Sequence, residues 1–417
     1  MRNRRPTDGS VFRGRNPTAG GKIMKVLTIS TCAALVLGLC GGVSATVIHV
    51  PDDYMTIQWG IDAAADGDTV LVADGTYTGS FNRDLDFGGR EILVTSENGP
   101  HATALDCGGS ASEPHRGFYF HSGEGPSSVV RGFTIRGGWA DCGGGVGCES
   151  SSPRIEGNVI AWNTAGQEGG GIYCEDASPT IIGNTILHNT ADTGCHYYSS
   201  PAVVNSILRD GSAAMGLEIS LLESSTMTIS YSDIQMRAAM VHVAPGCTLY
   251  WGEGVITSYP DFVCADMGDY RLLWGSPCID AGDPDPACND PDGTRGDIGA
   301  HFFDQSKELV TYLTPQMLIL HRGEICPVLY TLINCHPSPQ PVRGIAELTL
   351  PNGNPWAGNP LEGPGYQTMP PEYTFWSVRE YMIPETWPLG TTVLTWKVGL
   401  PGNLFDQDSA GLMVVEP

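Results

Sequence analysis

Residues 143–165 read GGGVGCESSSPRIEGNVIAWNTA, and residues 169–191 read GGGIYCEDASPTIIGNTILHNTA, nearly the same text 26 positions later. Two near-copies at one fixed period announce a solenoid in which each period is a turn laid on the last. Cys148/Cys174, Pro153/Pro179, Asn158/Asn184, Ile160/Ile186 and Asn163/Asn189 fall in register. The repeated unit is β-like: short apolar alternations lie between Gly, Ser, Pro and Asn, with no helical period.

The pattern continues outward through RGFTI, VNSIL and YSDIQ. Aligning these predicts one column, Ile135, Ile160, Ile186, Ile207 and Ile234, at spacings of 25, 26, 21 and 27. Uneven periods suit strands of constant length joined by surface turns that grow or shrink. The expected fold is all-β, a right-handed parallel β-helix. The GGGIYC, SSP and GNTI/NT pattern resembles bacterial secreted proteins of the pectin-lyase-like β-helix superfamily, over about residues 45–300. The stretch TIQ…IDAA…GDTVLVADGTY resembles the amino-terminal cap of that family. Its apolar residues Ile57, Ile61 and Ala64 fit one face of a short helix covering the first coil, and Val70 to Val72 fit a buried strand.

Upstream, Met24 begins MKVLTISTCAALVLGLCGGVSA, which has the form of a signal peptide: Lys25, an apolar centre and a small-residue site ending at Ala45. Residues 1–45 are therefore assigned to a signal with a mis-called start, and the mature chain to Thr46 onward, secreted or on the cell surface. The apolar run is too short for a comfortable membrane span. The whole chain carries a net charge of −24. Residues 1–45 hold seven of its 22 basic and one of its 46 acidic residues, leaving −30 on the remainder. Such a balance argues against nucleic acid as a partner, because phosphate affinity needs clustered Lys and Arg. A monomer is expected.

Eleven of the 13 cysteines follow the signal, an odd number for a chain bound for an oxidising compartment. Cys278/Cys288 and Cys326/Cys335 are the expected local disulfides. Cys148 and Cys174, one coil apart, are either a third bridge or two stacked thiols in a core column.

The solenoid is expected to span residues 46–305. Near its end, SPCIDAGDP and DPDGTRGDIGA resemble a carboxy-terminal cap motif of bacterial surface β-helix proteins. Hard oxygen ligands at Asp283, Asp285, Asp290 and Asp292 make calcium a candidate cofactor, with a solvated turn whose Asp side chains cap their own backbone as the alternative. Residues 306–417 carry regular strand signals such as LVTYLTP, CPVLYTLIN and TTVLTWKVGL and are expected to form an immunoglobulin-like β-sandwich. They resemble bacterial accessory domains of that type. Trp376, Trp387 and Trp396 suit a sandwich core or a sugar-stacking surface.

Chemistry on a solenoid should repeat at coil spacing. Glu149 and Glu175 stack about 4.8 Å apart, with Asp176 beside them. Paired carboxyls at about 5–5.5 Å are what retaining glycosidases use, so these three are the candidate catalytic residues. The Asn-Thr-Asp, Asp-Asp and Gly-His-Gly motifs of the polygalacturonase family are missing. Arg131, Arg136 and Arg154 match no lyase motif. The expected function is non-catalytic binding of a polysaccharide or cell-surface glycan, with a polysaccharide lyase or glycoside hydrolase as the alternative. The asparagine column (Asn158, Asn184, Asn205, with Asn163 and Asn189) is expected to be structural.

Overall fold

The structure, a computed structural model, describes residues 45–190, 193–196, 198–209, 219–235 and 241–416. The expected signal segment, apart from Ala45, lies outside them. From Ala45 onward the chain is one compact unit.

Residues 47–251 wind into a parallel solenoid with three faces, formed by a nine-stranded, a seven-stranded and a six-stranded sheet. Within one coil the chain runs Arg154–Glu156, Val159–Ala161 and Ile172–Glu175, one strand per sheet. The next coil repeats this as Thr180–Ile182, Thr185–Leu187 and Thr193–His196. Registers are as the sequence predicts for Ile160↔Ile186 and for Cys148↔Cys174. Inward-facing Val130, Ile155, Ile181 and Val203 on one face, and Phe120, Cys148 and Cys174 on another, are fully buried in a common core.

The text GNxIxxN is the corner–strand–corner unit of each coil. The residue before each asparagine adopts a left-handed backbone: Gly157, Trp162, Gly183 and His188 have φ of 61°, 60°, 62° and 56°. The buried asparagines then lace the coils together. Asn184 Oδ1 accepts the Asn158 backbone N–H at 2.9 Å, and Asn184 Nδ2 donates to Ile155 O at 2.8 Å. Asn163 Oδ1 likewise accepts the Gly138 N–H, and Asn189 Oδ1 accepts the Asn163 N–H. Corner backbones otherwise left with unmet donors are thereby satisfied.

One coil later the alignment slips. Ser206, not Asn205, continues the ladder, its hydroxyl accepting from Asn184 N at 3.1 Å, while Asn205 takes the left-handed place with φ 50°. Asn tolerates that backbone better than most residues, so an Asn-Ser corner replaces Gly-Asn. As a result Leu208, not Ile207, pairs with Ile186 and with Ile234. A one-residue slip turns every side chain to the other face, and Ile207 points out of the solenoid into a second apolar cluster.

The helix Ile57–Ala63 closes the amino-terminal end as expected, burying Ile57, Gly60 and Ile61. A Cβ on Gly60 would come within 3.0 Å of both Val50 and Val70, which is how closely the helix lies on the first coil. The stretch expected as the opposite cap does something else. Residues 256–303 run back along the outside of the seven-stranded sheet, where Gly299 N–H donates to Asn205 O and Ala300 N–H to Thr185 Oγ1. Outward-facing Val159, Ala161, Leu187 and Ile207 are buried there against Phe262, Tyr270, Leu272 and Ile298.

The chain ends in a two-sheet β-sandwich. Its three-stranded sheet holds Leu309–Pro315, Ile325–Asn334 and Tyr373–Met382, and its five-stranded sheet runs from Ile319–His321 to Glu362–Met369. Trp387 and Trp396 are buried in its core and Trp376 is exposed. Val310, Tyr312, Leu329 and Ile333 of the three-stranded sheet join the cluster over the seven-stranded sheet, so three layers share that core. Arg271, 11% exposed, ties them: it bonds Asp269 at 2.7 Å and Asp408 of the sandwich at 2.6 Å.

Neither expected local disulfide forms. Cys326 opens the strand Ile325–Asn334 and Cys335 follows its end, about 30 Å away at strand rise. Cys278 is fully buried, and Cys288 is exposed in the acidic loop. Cys148 and Cys174 remain thiols; their mutual hydrogen bond, together with burial, pushes the Cys148 pKa well up.

Candidate functional site

With the seven-stranded sheet covered, the six-stranded sheet leaves Tyr119, Glu149 and Glu175 partly exposed, with Gly147 and Tyr173 buried beside them. Its strands place Phe118, Val146 and Ile172 inward in one column, and Tyr119, Gly147 and Tyr173 in the next, outward-facing column. Glu149 and Glu175 are in direct register at the strand ends, as the repeat predicts.

Each carboxylate is held by a tyrosine. Tyr119 donates its hydroxyl to Glu149 Oε2 at 2.6 Å, and Tyr173 donates to Glu175 Oε2 at 3.1 Å. Burial and the bond to Glu149 push the Tyr119 pKa up to about 12. Burial pushes Tyr173 up further, helped by its neighbours Cys142 and Glu175, so both phenols stay protonated as donors.

A cation accompanies the pair. The Arg116 guanidinium lies 4.2 Å over the Tyr119 ring, in space that only Gly147 leaves free, since a Cβ there would meet Arg116 Nη1 at 2.5 Å. His121 packs against the other side of the group, its ring 4.3 Å from Tyr119 and its Nε2 3.4 Å from Asp86. Asp176 stands apart. It is an exposed corner residue with φ 48°, matching Ser150 with φ 50° one coil earlier. The structure thus brings Glu149 and Glu175 together and leaves Asp176 on the turn.

Arg116, Tyr119 and Tyr173 were missed as site residues. A signal was present: when GFYF is laid over GVGC and GIYC, aromatic, glycine and aromatic occupy one outward position in three successive coils.

The four aspartates expected to bind calcium do not converge. Asp283 Oδ1 accepts the Asp285 N–H, Asp285 Oδ1 the Ala287 N–H, and Asp292 the N–H groups of Thr294 and Gln305. Asp290 accepts the Asp297 N–H and lies within hydrogen-bonding reach of the Asp297 carboxyl. The carboxylates are spent on their own turns, and among the described residues no three His, Cys, Asp or Glu side chains gather as metal ligands. Burial, with Asp297 beside it, pushes the Asp290 pKa up to about 7.

Comparison with known proteins adds the following. No curated protein matches the chain. Among solved structures, the CARDB domain of a Pyrococcus furiosus protein, in complex with di-metal ions, is 9% identical; the match covers 26% of this chain and 94% of that one at a TM-score of 0.21. The sporulation control protein Spo0M of Bacillus subtilis is 12% identical, over 26% of this chain and 50% of that one, at a TM-score of 0.22. Both likenesses are too slight to carry an argument. Residues 110–256 match the family model described as right handed beta helix region. That match falls within the three parallel sheets and the first residues beyond them, and its description agrees with the parallel β-solenoid observed there.

Proposed function

We propose that this protein is exported and acts outside the cell or on its surface as a non-catalytic, carbohydrate-binding β-helix, with the sandwich as an immunoglobulin-like accessory module. The observation that carries this reading is the outer face of the six-stranded sheet. Tyrosine hydroxyls and carboxylates repeat there at coil spacing, each acid already held by a phenol. A grid of fixed donors and acceptors suits a chain of sugar hydroxyls. A fold alone does not specify chemistry, and each of these acids is already engaged by a phenol.

A lyase or hydrolase is the second reading, favoured by one feature. Arg116 Nη1 is buried without a hydrogen-bond partner beside the Tyr119–Glu149 pair, so a cation lies next to the acids.

One assay separates the two. The purified protein is offered neutral and acidic polysaccharides with and without calcium, while binding, reducing ends and unsaturated uronide absorbance are followed together. Binding without product is expected. Product formation abolished by Glu175→Gln would make the protein an enzyme.

A further inference from the structure

The two sheets of the sandwich are tied along one side and open along the other. On the tied side the Thr311 and Leu313 N–H groups of Leu309–Pro315 donate to Asp406 and Asp408 of the strand Asn403–Val415, both at 2.7 Å. On the open side stand the edge strands Glu362–Met369 and Tyr373–Met382, one from each sheet. They meet only at the surface, where Arg379 Nε lies 3.8 Å from Glu362 Oε1. Residues 362–368 are exposed at every position, so this strand does not lie down on the other. Phe375 and Ser377, in register with the buried Leu332 and Tyr330, are left half covered. Side chains of facing sheets ordinarily interdigitate. Here a cleft of about 200 Å³ runs between them instead.

At its inner end the cleft holds a donor that the protein does not use. Trp396 is 8% exposed, and among the described residues nothing accepts its Nε1–H. A buried indole N–H ordinarily has a partner, and Trp387 in the same core gives its own to Thr392 Oγ1 at 3.2 Å. Gly344 keeps the donor uncovered. Both residues line the cleft, and a Cβ on Gly344 would come within 3.2 Å of Trp396 Nε1.

The lining fixes the chemistry of an occupant. The rings of Tyr330, Phe375 and Trp396 line the cleft, Tyr330 meeting Trp396 edge-on with centroids 5.0 Å apart. Concave, mainly apolar walls with one placed polar group are the ordinary form of a small-molecule site. An apolar cavity of about 150 Å³ takes benzene, so the space here takes one ring with a short substituent. The Nε1–H calls for an acceptor oxygen on that substituent. Arg379 and Glu362, the charged residues of the lining, stand together and offset one another at the mouth, so the ligand need carry no charge.

We infer that the cleft between the two edge strands binds a small uncharged aryl compound, a ketone or amide in type, whose oxygen accepts from Trp396 Nε1–H. The site lies in the sandwich and stands or falls apart from carbohydrate binding by the solenoid. The purified full chain is titrated with acetophenone and with α-methylstyrene, which has the same shape without the acceptor, and binding is followed by ligand-observed NMR. Both are expected to bind the parent. Trp396→Phe, which keeps a ring and removes the donor, should weaken acetophenone about fivefold, the worth of one hydrogen bond, and change α-methylstyrene much less. Gly344→Ala tests the same donor with the indole in place. Gly344 does not have a left-handed backbone, so alanine fits the strand, and its methyl group against Nε1 should weaken acetophenone by a similar factor with the melting transition retained. Absence of acetophenone binding to the parent overturns the inference. So does unchanged acetophenone affinity in Gly344→Ala, or an equal loss for both compounds in a folded Trp396→Phe.

Discussion

The six-stranded and seven-stranded sheets are cut from the same coils, yet their outer faces have opposite fates. On the seven-stranded sheet the strands Val159–Ala161, Thr185–Leu187 and Ile207–Arg209 are buried at every position. On the six-stranded sheet Val146–Glu149 and Ile172–Glu175 are buried up to their last residues, and only the carboxylate ends, with Tyr119 one coil earlier, are partly exposed. A strand apolar on both faces demands a second layer. Here the returning chain and the sandwich supply it. The difference assigns roles: the covered face holds the molecule together, and the carboxylate edge of the other remains open for contact.

If that division is right, the largest losses of stability come from the covered side. Arg271→Ala would leave Asp269 and Asp408 as buried carboxylates without their cation, and breaking a buried pair in this way costs about 3–5 kcal/mol. Denaturant unfolding should also show whether the sandwich then melts apart from the solenoid. Next comes Leu187→Ala. Leu187 faces outward from its coil yet is 0% exposed, so the loss should be about 3 kcal/mol, as for an interior leucine. A loss of only a few tenths would mean that the cover is loose and that the contrast between the two faces fails.

Much of this was legible in advance. The 26-residue repeat carried the parallel coil and the pairing of Glu149 with Glu175, and the apolar spacing of Ile57, Ile61 and Ala64 carried the helix over the first coil, because each is a local pattern. The slip at Asn205 was not legible, since Asn-Ser and Gly-Asn corners look alike until the backbone shows which residue is left-handed. The path of residues 256–303 was hidden for a different reason: their capping motif predicts tight turns, and nothing in it says whether those turns lie over the end or along the side. The signal for the side lay elsewhere, in VIA, TIL and ILR, whose outward Val159, Ala161, Leu187 and Ile207 are too apolar for a water-facing strand. The tyrosines of the six-stranded sheet were hidden because the repeat pairs Tyr173 with Gly147, so the aromatic column is broken between Tyr119 and Tyr173.

The acidic turn sharpens the contrast by pH. Asp290 is pushed up to about 7 and Asp297 to about 6, burial leading in both cases. Between about pH 4, where carboxyls of the unfolded chain titrate, and pH 7 the folded state therefore holds protons that the unfolded chain has released. Stability from this pair is fully present at the acidic end of the window and declines as the pH rises through it. Unfolding measured at pH 5 and pH 8 should show a drop that Asp290→Asn reduces. An unchanged drop in the variant would show that overall charge repulsion, rather than this pair, sets the pH dependence.

The smallest effect on stability belongs to the bare face. Glu149→Gln removes a charge but keeps an oxygen able to accept from Tyr119, and the residue is half-exposed, so unfolding should shift by less than about 1 kcal/mol. Its consequence should appear in ligand binding instead. Tyr119 would then donate to a neutral amide, and the group built on Tyr119 would lose a negative charge while keeping the Arg116 guanidinium over the ring. Weaker binding of neutral glycans together with an increased preference for anionic ones would follow from that change in local charge. If Glu149→Gln instead unfolds the solenoid as severely as Arg271→Ala, the Tyr119–Glu149 pair belongs to the framework and the outer face of the six-stranded sheet is not a site held apart from it.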